Sequence, residues 1–219
     1  GGAMLALPLP PAEDLAMKLW YAPNTRAVRI KWLLDELGLA HEIERLTLSD
    51  PAMRSAEFRE VHPLGRVPVL EDGPVRMIES GAIVQYLLAT YDAAHRLHPA
   101  PGAADFPDYL QWLHFAEGML MPPVNTIVVE TILLPPERRN DENVSRAQKL
   151  LGRMLEAVDR ALEGRDHLAG GFSGADVMTG HACIVSTRLG GADLSALPHL
   201  AAYIARLEAR PALASAWDA

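Results

Sequence analysis

Apolar and polar residues follow two spacings in the first part of the chain, and each spacing predicts an element. Residues 18–21 form a short aromatic-rich run that ends in Ala-Pro-Asn, which predicts a strand and a turn. From Thr25 to Gly38 the apolar residues recur every three or four positions, as on one face of a helix. Residues 41–48 alternate and predict a second strand. These elements form a strand–helix–strand unit.

Two further strands and a helix are predicted next. Residues 51–59 are polar and predict a short helix or an irregular segment. The apolar runs 67–70 and 75–78 flank Glu-Asp-Gly-Pro, and Asp-Gly between two strands is a strong signal for a hairpin. Residues 80–91 return to helical spacing. The order βαβαββα resembles the thioredoxin-like arrangement, with a mixed four-stranded sheet.

The remaining chain has helical spacing throughout. Residues 93–104 include a stretch rich in Pro, Gly and Ala, which predicts a linker. Long amphipathic runs follow over residues 105–134 and 136–164. The sequence therefore predicts an α/β domain over residues 17–92 and an all-helical domain over residues 105–219.

Residues 1–16 are left outside both predicted domains. Their apolar run is broken by prolines and is not preceded by basic residues, so it does not fit a signal peptide. We interpret this segment as an N-terminal extension or the remnant of a tag.

The composition narrows the classes of function. The chain is 49% hydrophobic and 22% charged, which suits a globular core that needs neither disulfides nor a metal. Its net charge is −8 and no basic cluster is longer than Arg138-Arg139, which argues against nucleic acid as a partner. No run approaches the ~18 apolar residues of a membrane span. The single cysteine, Cys183, lies in an apolar run and predicts a buried, inert thiol and a reducing cytoplasm.

A Val-Pro step interrupts the third predicted strand. Proline cannot donate a hydrogen bond to a sheet, so it is confined to strand edges and bulges. With a cis peptide bond, the backbone of Val67 would be free to pair with an extended ligand; a trans proline on an edge strand is the alternative. Glu79 and Ser80 then open a helix, whose free N–H groups favour a carboxylate. Ordinary capping by the serine is the alternative there.

The residues around this step resemble a motif of the cytosolic glutathione transferases. Residues 62–70, His-Pro-Leu-Gly-Arg-Val-Pro-Val-Leu, are similar to the family pattern Asn-Pro-x-Gly-Lys-Val-Pro-x-Leu. His62 stands in place of the Asn, and Arg66 stands in place of the Lys. The acid–hydroxyl pair after the fourth strand and the appended helical domain extend the resemblance over residues 17–218.

The resemblance implies a glutathione site with glutathione as co-substrate and no metal. The cysteinyl backbone would pair with Val67 beside Pro68. The glycyl carboxylate would meet Arg66, whose guanidinium supplies the cation. Ser80 would take the γ-glutamyl carboxylate, and Glu79 would pair with the ammonium group.

The chemistry also needs a group that stabilises the thiolate of glutathione. A thiol with a pKa of ~8.5 is only slightly ionised at neutral pH, and lowering that pKa by about two units takes ~2.7 kcal/mol. Thr25-Arg26-Ala27-Val28-Arg29 resembles the Ser-Arg-x-x-Arg of bacterial and fungal members, which implies Thr25 as the donor. Asn24 is the second candidate, and an N-cap role fits both residues. No Cys lies near this loop, so a cysteine-type site is a poor match.

In the family, the first long helix of the second domain lines the electrophile site. The candidates that this implies are Tyr109, Trp112, Glu117 and Met121. Aromatic residues at helical spacing commonly belong to a core, so we expect most of these side chains to pack.

The function that the resemblance implies is a detoxifying transferase, cytoplasmic and homodimeric, that conjugates the glutathione thiolate to small hydrophobic electrophiles. A non-catalytic, glutathione-binding or regulatory member of the fold is the alternative. A glutathione-dependent peroxidase, isomerase or dehalogenase would share the same site.

Overall fold

A computed structural model describes residues 17–47 and 51–219 of the chain. Two predictions lie outside these residues. They are the interpretation of residues 1–16 and the end of the second predicted strand at Leu48.

The α/β part contains a mixed four-stranded sheet, as predicted. The strands are β1 (Met17–Tyr21), β2 (His41–Arg45), β3 (Val69–Asp72) and β4 (Val75–Met77). Their order across the sheet is β2-β1-β3-β4; β1 and β2 run parallel, and the other two pairs are antiparallel. The thioredoxin-like prediction is therefore confirmed.

Three helices and a 3₁₀ turn accompany the sheet: α1 (Ala27–Leu37), a 3₁₀ turn (Pro51–Arg54), α2 (Ala56–Val61) and α3 (Ser80–Tyr91). Helix α1 ends at Gly38, whose φ of 69° is left-handed and suits a residue without a side chain. The bounds of α3 match the predicted ones.

The hairpin between β3 and β4 differs in detail from its prediction. Glu71 and Asp72 pair with Arg76 and Val75, so the loop is the two residues Gly73-Pro74 rather than the four predicted residues 71–74. Asp72 is buried and accepts hydrogen bonds from the hydroxyls of Tyr86 and Tyr91, at 2.8 and 2.6 Å. Those side-chain contacts hold Asp72 within the strand.

The second part is all-helical, as predicted. Its helices are α4 (Phe106–Phe115), α5 (Met121–Val128), α6 (Asp141–Ala161), α7 (His181–Arg188), α8 (Pro198–Glu208) and α9 (Pro211–Asp218). A 3₁₀ turn (Pro136–Arg138) precedes α6, and π-helical turns occupy Ala116–Leu120, Val129–Leu133 and Asp176–Gly180. Such π turns are frequent at functional sites. The first carries Glu117, and the third leads directly into His181.

One hydrophobic core extends through both parts, from Leu19 and Trp32 to Leu213 on α9. Polar contacts cross the same boundary. The Tyr21 hydroxyl donates to the Ala216 carbonyl oxygen at 2.8 Å, and Arg210 forms a bidentate pair with Glu36 at 2.7 Å. The boundary between the two parts is therefore tightly packed.

Cys183 is fully buried on α7, as the sequence predicts. Burial raises the pKa of its thiol to about 12, so the thiolate form is suppressed at neutral pH. Within the described part of the chain, no helix is long and apolar enough to cross a membrane.

Candidate active site

A cleft of about 440 Å³ lies between the two parts of the molecule. Its α/β wall consists of residues 24–26, 53–54 and 65–67. Its helical wall consists of residues from α5, the π turn after it and α7. The cleft thus brings together the turn before α1 and the segment before β3, two regions from which the sequence predicts site residues.

Val67 lies at the edge of the cleft, ahead of the paired part of β3. The Val67-Pro68 peptide bond is cis. The pairing between β1 and β3 begins with Trp20 opposite Val69, so Val67 lies outside this register. Arg66 is exposed and also lines the cleft. The predicted backbone site and the predicted cation are therefore neighbours on one wall.

The turn before Arg66 is held by His62. The Leu64 N–H donates to His62 Nδ1 at 3.1 Å, and the Gly65 N–H donates to the His62 carbonyl oxygen at 2.8 Å. Gly65 has a φ of +60°, and a Cβ there would lie 2.2 Å from the Met53 carbonyl oxygen. Only glycine fits this close approach.

Glu79 and Ser80 lie at the start of α3. Glu79 has φ and ψ of 71° and 105°, a conformation that costs a non-glycine residue about 1–3 kcal/mol and that clusters at functional sites. Ser80 is buried, and its Oγ accepts a hydrogen bond from Arg29 Nη1 at 3.1 Å. The Ser80 hydroxyl therefore keeps its own proton to donate. Neither residue is among the described residues that line the cleft.

Asn24 and Thr25 both line the cleft, but their polar groups differ in availability. The Thr25 hydroxyl donates to the Ala22 carbonyl oxygen at 2.7 Å and accepts from the Ala27 N–H at 3.2 Å. Asn24 is exposed in a left-handed conformation, with φ of 58°. Its side-chain amide has no hydrogen-bond partner within residues 17–47 and 51–219.

Arg29 is the fully buried centre of a polar cluster that the sequence did not reveal. Its Nη1 donates to Ser80 Oγ and, at close range, to Glu117 Oε1, while its Nε donates to His181 Nδ1 at 3.1 Å. Arg26 Nε donates to both oxygens of Glu117, at 2.8 and 3.0 Å. The cluster joins α1 and α3 to the helical part.

Glu117 is ionised in this cluster. Burial alone would raise the pKa of its carboxyl group, but the charges and hydrogen bonds of Arg29 and Arg26 outweigh burial and lower the pKa below its ordinary value. The carboxylate compensates the two guanidinium groups, one of which is fully buried.

His181 is buried on α7 and lines the cleft. Burial, together with the positive charge of Arg29, lowers the pKa of its imidazole well below the ordinary value, so the ring is neutral at physiological pH. Its ring stacks on Trp217, with centroids 5.3 Å apart.

The four predicted electrophile-site residues occupy different environments. Met121 lines the cleft. Tyr109 and Trp112 are only 4% and 6% exposed and pack in the core, and Glu117 is bound to Arg26 and Arg29. The helical wall of the cleft is instead mainly aliphatic, with Val124 and Val128 on α5 and Val185 on α7.

Two residues of this region, Arg29 and His181, were missed as site residues by sequence reasoning. Arg29 lies within the Ser-Arg-x-x-Arg-like run, and its position among apolar residues of α1 was a signal of a buried charge. His181 is a single histidine in an apolar run, a pattern that fits a packed core residue equally well.

The fold and the cleft define a two-part protein with a thioredoxin-like domain and an appended helical domain. Residues 15–89 match the family model "Glutathione S-transferase, N-terminal domain", and residues 120–211 match "Glutathione S-transferase, C-terminal domain". Glutathione S-transferase 4 of Zea mays is 34% identical over 192 residues, which are 82% of this chain and 81% of the maize protein. The chain belongs to the glutathione transferase family.

Solved structures agree with this membership. The glutathione transferase URE2P8 of Phanerochaete chrysosporium, solved with oxidized glutathione, has a TM-score of 0.83 at 26% identity, over 94% of this chain and 95% of that one. A glutathione transferase of Pseudomonas putida, solved with one glutathione disulfide per subunit, has a TM-score of 0.82 at 25% identity, over 94% of this chain and 93% of that one.

Proposed function

We propose that this protein binds glutathione in the cleft and conjugates its thiolate to small hydrophobic electrophiles. The observation that carries the proposal is the meeting of the Val67 edge, Arg66 and the Asn24-Thr25 turn on one wall, opposite an aliphatic wall. The two related structures that hold glutathione disulfide support glutathione as the ligand.

Each end of glutathione has a partner of suitable chemistry. The cysteinyl backbone pairs with Val67 beside Pro68, and the glycyl carboxylate meets the Arg66 guanidinium. The proposed site extends beyond the cleft lining to the start of α3, where the Ser80 hydroxyl donates to the γ-glutamyl carboxylate; Arg29 already supplies the hydrogen bond that Ser80 accepts. Glu79 pairs with the ligand's ammonium group. The strained backbone of Glu79 favours this role.

The reaction begins when the bound thiol loses its proton to water. The sulfur then uses its electron pair to bond the electrophilic carbon. In a substitution the leaving group departs with the electron pair of the broken bond. In an addition the π electron pair moves away from the attacked carbon, and the product takes up a proton from water. The apolar partner rests against Met121 and the aliphatic wall. We propose a Ser/Thr/Asn-type thiol site of the bacterial kind, with no metal.

Asn24 is the better placed of the two candidate thiol donors. The Asn24 side-chain amide has no hydrogen-bond partner in the described structure, whereas the Thr25 hydroxyl already donates its proton to the Ala22 carbonyl oxygen. We expect Asn24→Ala to raise the pKa of the bound thiol by about one unit, and Thr25→Ala to raise it by less. Ultraviolet titration of the thiolate measures both; a larger shift for Thr25→Ala would reverse the order.

The Thr25 hydroxyl already donates its proton to the Ala22 carbonyl oxygen, and this observation favours a second candidate function. In that case the protein is a non-catalytic or regulatory member of the fold that binds glutathione. Calorimetric titration with glutathione, followed by assays with alkyl and aryl halides, enals and hydroperoxides, separates the possibilities. Conjugation supports the main proposal. Binding without turnover of any of these compounds supports the second function, and turnover of hydroperoxides alone supports a peroxidase. Absence of glutathione binding contradicts the proposed site.

We also propose that each chain has domains over residues 17–92 and 105–219, joined by a linker over residues 93–104. We further propose that the protein is cytoplasmic and forms a homodimer. Sedimentation velocity measures the oligomeric state. A monomer at the concentrations used for assays would contradict the homodimer.

A further inference from the structure

Two histidines approach each other closely just after α3, away from the cleft. His95 Nδ1 and His98 Nε2 lie 3.0 Å apart, and the centroids of the two rings are 4.5 Å apart. The His98 side chain is only 14% exposed, whereas His95 is exposed to solvent. Neither residue lines the cleft. The two rings therefore have no part in the proposed glutathione function.

A buried carboxylate fixes which nitrogen of His98 carries the proton. The Asp92 side chain has no exposed surface, and it accepts hydrogen bonds from the N–H groups of Arg96 and Leu97 at 3.0 and 2.7 Å. Burial alone would raise the pKa of the Asp92 carboxyl group, but these hydrogen bonds and the contact with His98 lower it below its ordinary value. His98 Nδ1 lies 2.9 Å from Asp92 Oδ2 and is therefore the donor. In the neutral ring, Nε2 then carries the lone pair.

The backbone of His95 turns its ring toward this lone pair. Its φ is 52°, in the left-handed region that residues other than glycine seldom adopt and that clusters at functional sites. The His95 N–H donates to the Asp92 carbonyl oxygen at 2.9 Å, which closes a turn over residues 92–95. Asp92 therefore holds both histidines, His98 through its side chain and His95 through its backbone.

The spacing of the two nitrogens suits two imidazole ligands of one metal ion. Imidazole nitrogens lie about 2.0–2.1 Å from Zn²⁺, and two of them at a tetrahedral angle are about 3.3 Å apart. The pair needs to open by only about 0.3 Å to admit the ion. In the ion-free protein His95 Nδ1–H donates to His98 Nε2. When the ion binds, His95 takes the tautomer with its proton on Nε2, so both lone pairs face the ion and no proton is lost.

We propose that His95 Nδ1 and His98 Nε2 bind a divalent cation of the class that prefers imidazole, such as Zn²⁺, Ni²⁺ or Cu²⁺. The Asp92 carboxylate on the far nitrogen of His98 is the arrangement that orients metal-ligating histidines. Within residues 17–47 and 51–219, no group of three or more His, Cys, Asp or Glu side chains could hold a metal ion. Water molecules therefore complete the coordination.

The proposed cation site lies in the segment that connects the two parts of the molecule. Between the two histidines, the Leu97 carbonyl oxygen accepts a hydrogen bond from the Gly174 N–H of the helical part at 2.8 Å. A bound cation would tie together the two ends of the segment 95–98. Cation binding should therefore stabilise the folded protein, because the ion binds the folded state in preference to the unfolded one.

The first test titrates Zn²⁺ into the unaltered protein and into His95→Gln by calorimetry. The glutamine can still form a hydrogen bond with His98 but does not replace an imidazole ligand. We expect the variant to bind Zn²⁺ more than ~10-fold more weakly, because loss of even an outer partner of a ligand costs about 10–100-fold in affinity. His114→Gln and His199→Gln, at exposed positions of α4 and α8, are the matched controls and should bind as the unaltered protein does.

The second test counts the nitrogen ligands directly, with Cu²⁺ as the probe. Electron paramagnetic resonance of bound Cu²⁺ shows a splitting from each imidazole nitrogen in its coordination plane. We expect two such nitrogens in the unaltered protein and one in His95→Gln. Circular dichroism checks that the variant is folded, and the exposure of His95 makes loss of the fold unexpected.

Two outcomes would overturn the cation site. In the first, the unaltered protein binds no Zn²⁺, and the 3.0 Å contact is a hydrogen bond only. In the second, folded His95→Gln binds Zn²⁺ as tightly as the unaltered protein, and the ion is held adventitiously by other groups. Neither outcome bears on the glutathione proposal, because these variants leave every residue of the proposed glutathione site unchanged.

Discussion

The two ends of the proposed glutathione site are built in different ways. The Val67 end is made of backbone, and its geometry comes from the turn over residues 62–65 and the start of β3. The Ser80 end is made of side chains that meet across the molecule: Arg29 from α1, Ser80 from α3 and Glu117 from the helical part. The first end depends on neighbours in sequence, and the second on the packing of the two parts. We therefore expect variants at the two ends to change stability and glutathione binding to different extents.

The largest effect is expected from Arg29→Met, which removes the centre of the side-chain end. The substitution leaves Glu117 without its buried cation and the His181 Nδ1 without its donor, so we expect a loss of about 3 kcal/mol in the free energy of unfolding. Chemical denaturation measures it. Arg153→Met, at an exposed position of α6, is the matched control. An equal, small effect of both variants would mean that the cluster contributes little to stability.

Gly65→Ala tests the backbone end. The new Cβ would meet the Met53 carbonyl oxygen, and the positive φ would add strain, so we expect a loss of about 2 kcal/mol in stability together with weaker glutathione binding. Gly152→Ala on α6, where no atom lies within 4 Å of the added Cβ, should be neutral or stabilising. If Gly65→Ala binds glutathione as well as the unaltered protein, the turn does not position the Val67 edge.

Ser80→Ala separates binding from stability at the side-chain end. Loss of the hydroxyl should weaken glutathione binding by ~1–3 kcal/mol, with a smaller change in the free energy of unfolding. Calorimetric titration measures the affinity, and Ser145→Ala on the exposed face of α6 serves as control. Unchanged affinity in Ser80→Ala would remove this residue from the γ-glutamyl contact.

The smallest effect is expected from Glu117→Gln and appears in the pH dependence of stability. Because the folded state lowers the pKa of Glu117, its ionised form contributes stability above the unfolded pKa of about 4.5, and this contribution is lost as the pH falls through the folded value. Glu117→Gln should therefore show a shallower loss of stability in acid. The difference should be below about 1 kcal/mol, because the carboxylate is partly exposed.

Denaturation of the two proteins at neutral and acid pH measures this difference. Glu156→Gln, at an exposed position of α6, is the control. If the acid dependence of Glu117→Gln equals that of the unaltered protein, the ion pairs with Arg26 and Arg29 add nothing to stability.

Local sequence signals were sufficient to predict most of the secondary structure. Helix α3 has its predicted bounds, and Gly38 ends α1 as expected. Strand β3 begins two residues later than predicted, because Pro68 has no N–H to donate and pairing starts at Val69. The hairpin loop has two residues rather than the predicted four, because strand pairing continues to Asp72, which the Tyr86 and Tyr91 hydroxyls hold in the strand. Both tyrosines lie on α3, so no pattern within the hairpin residues predicts their contact with Asp72.

For the site, the sequence by itself determined two of the three segments that line the α/β wall, because the Val-Pro step and the Asn24-Thr25 turn are local features of the chain; residues 53–54 join them only in the fold. It also determined the order of elements that makes a thioredoxin-like domain followed by helices. Only the tertiary structure decided which polar groups are available. Arg29, Ser80, Glu117 and His181 lie far apart in sequence, and burial makes them depend on one another's hydrogen bonds. A buried polar group must find a partner, and the identity of that partner is set by packing.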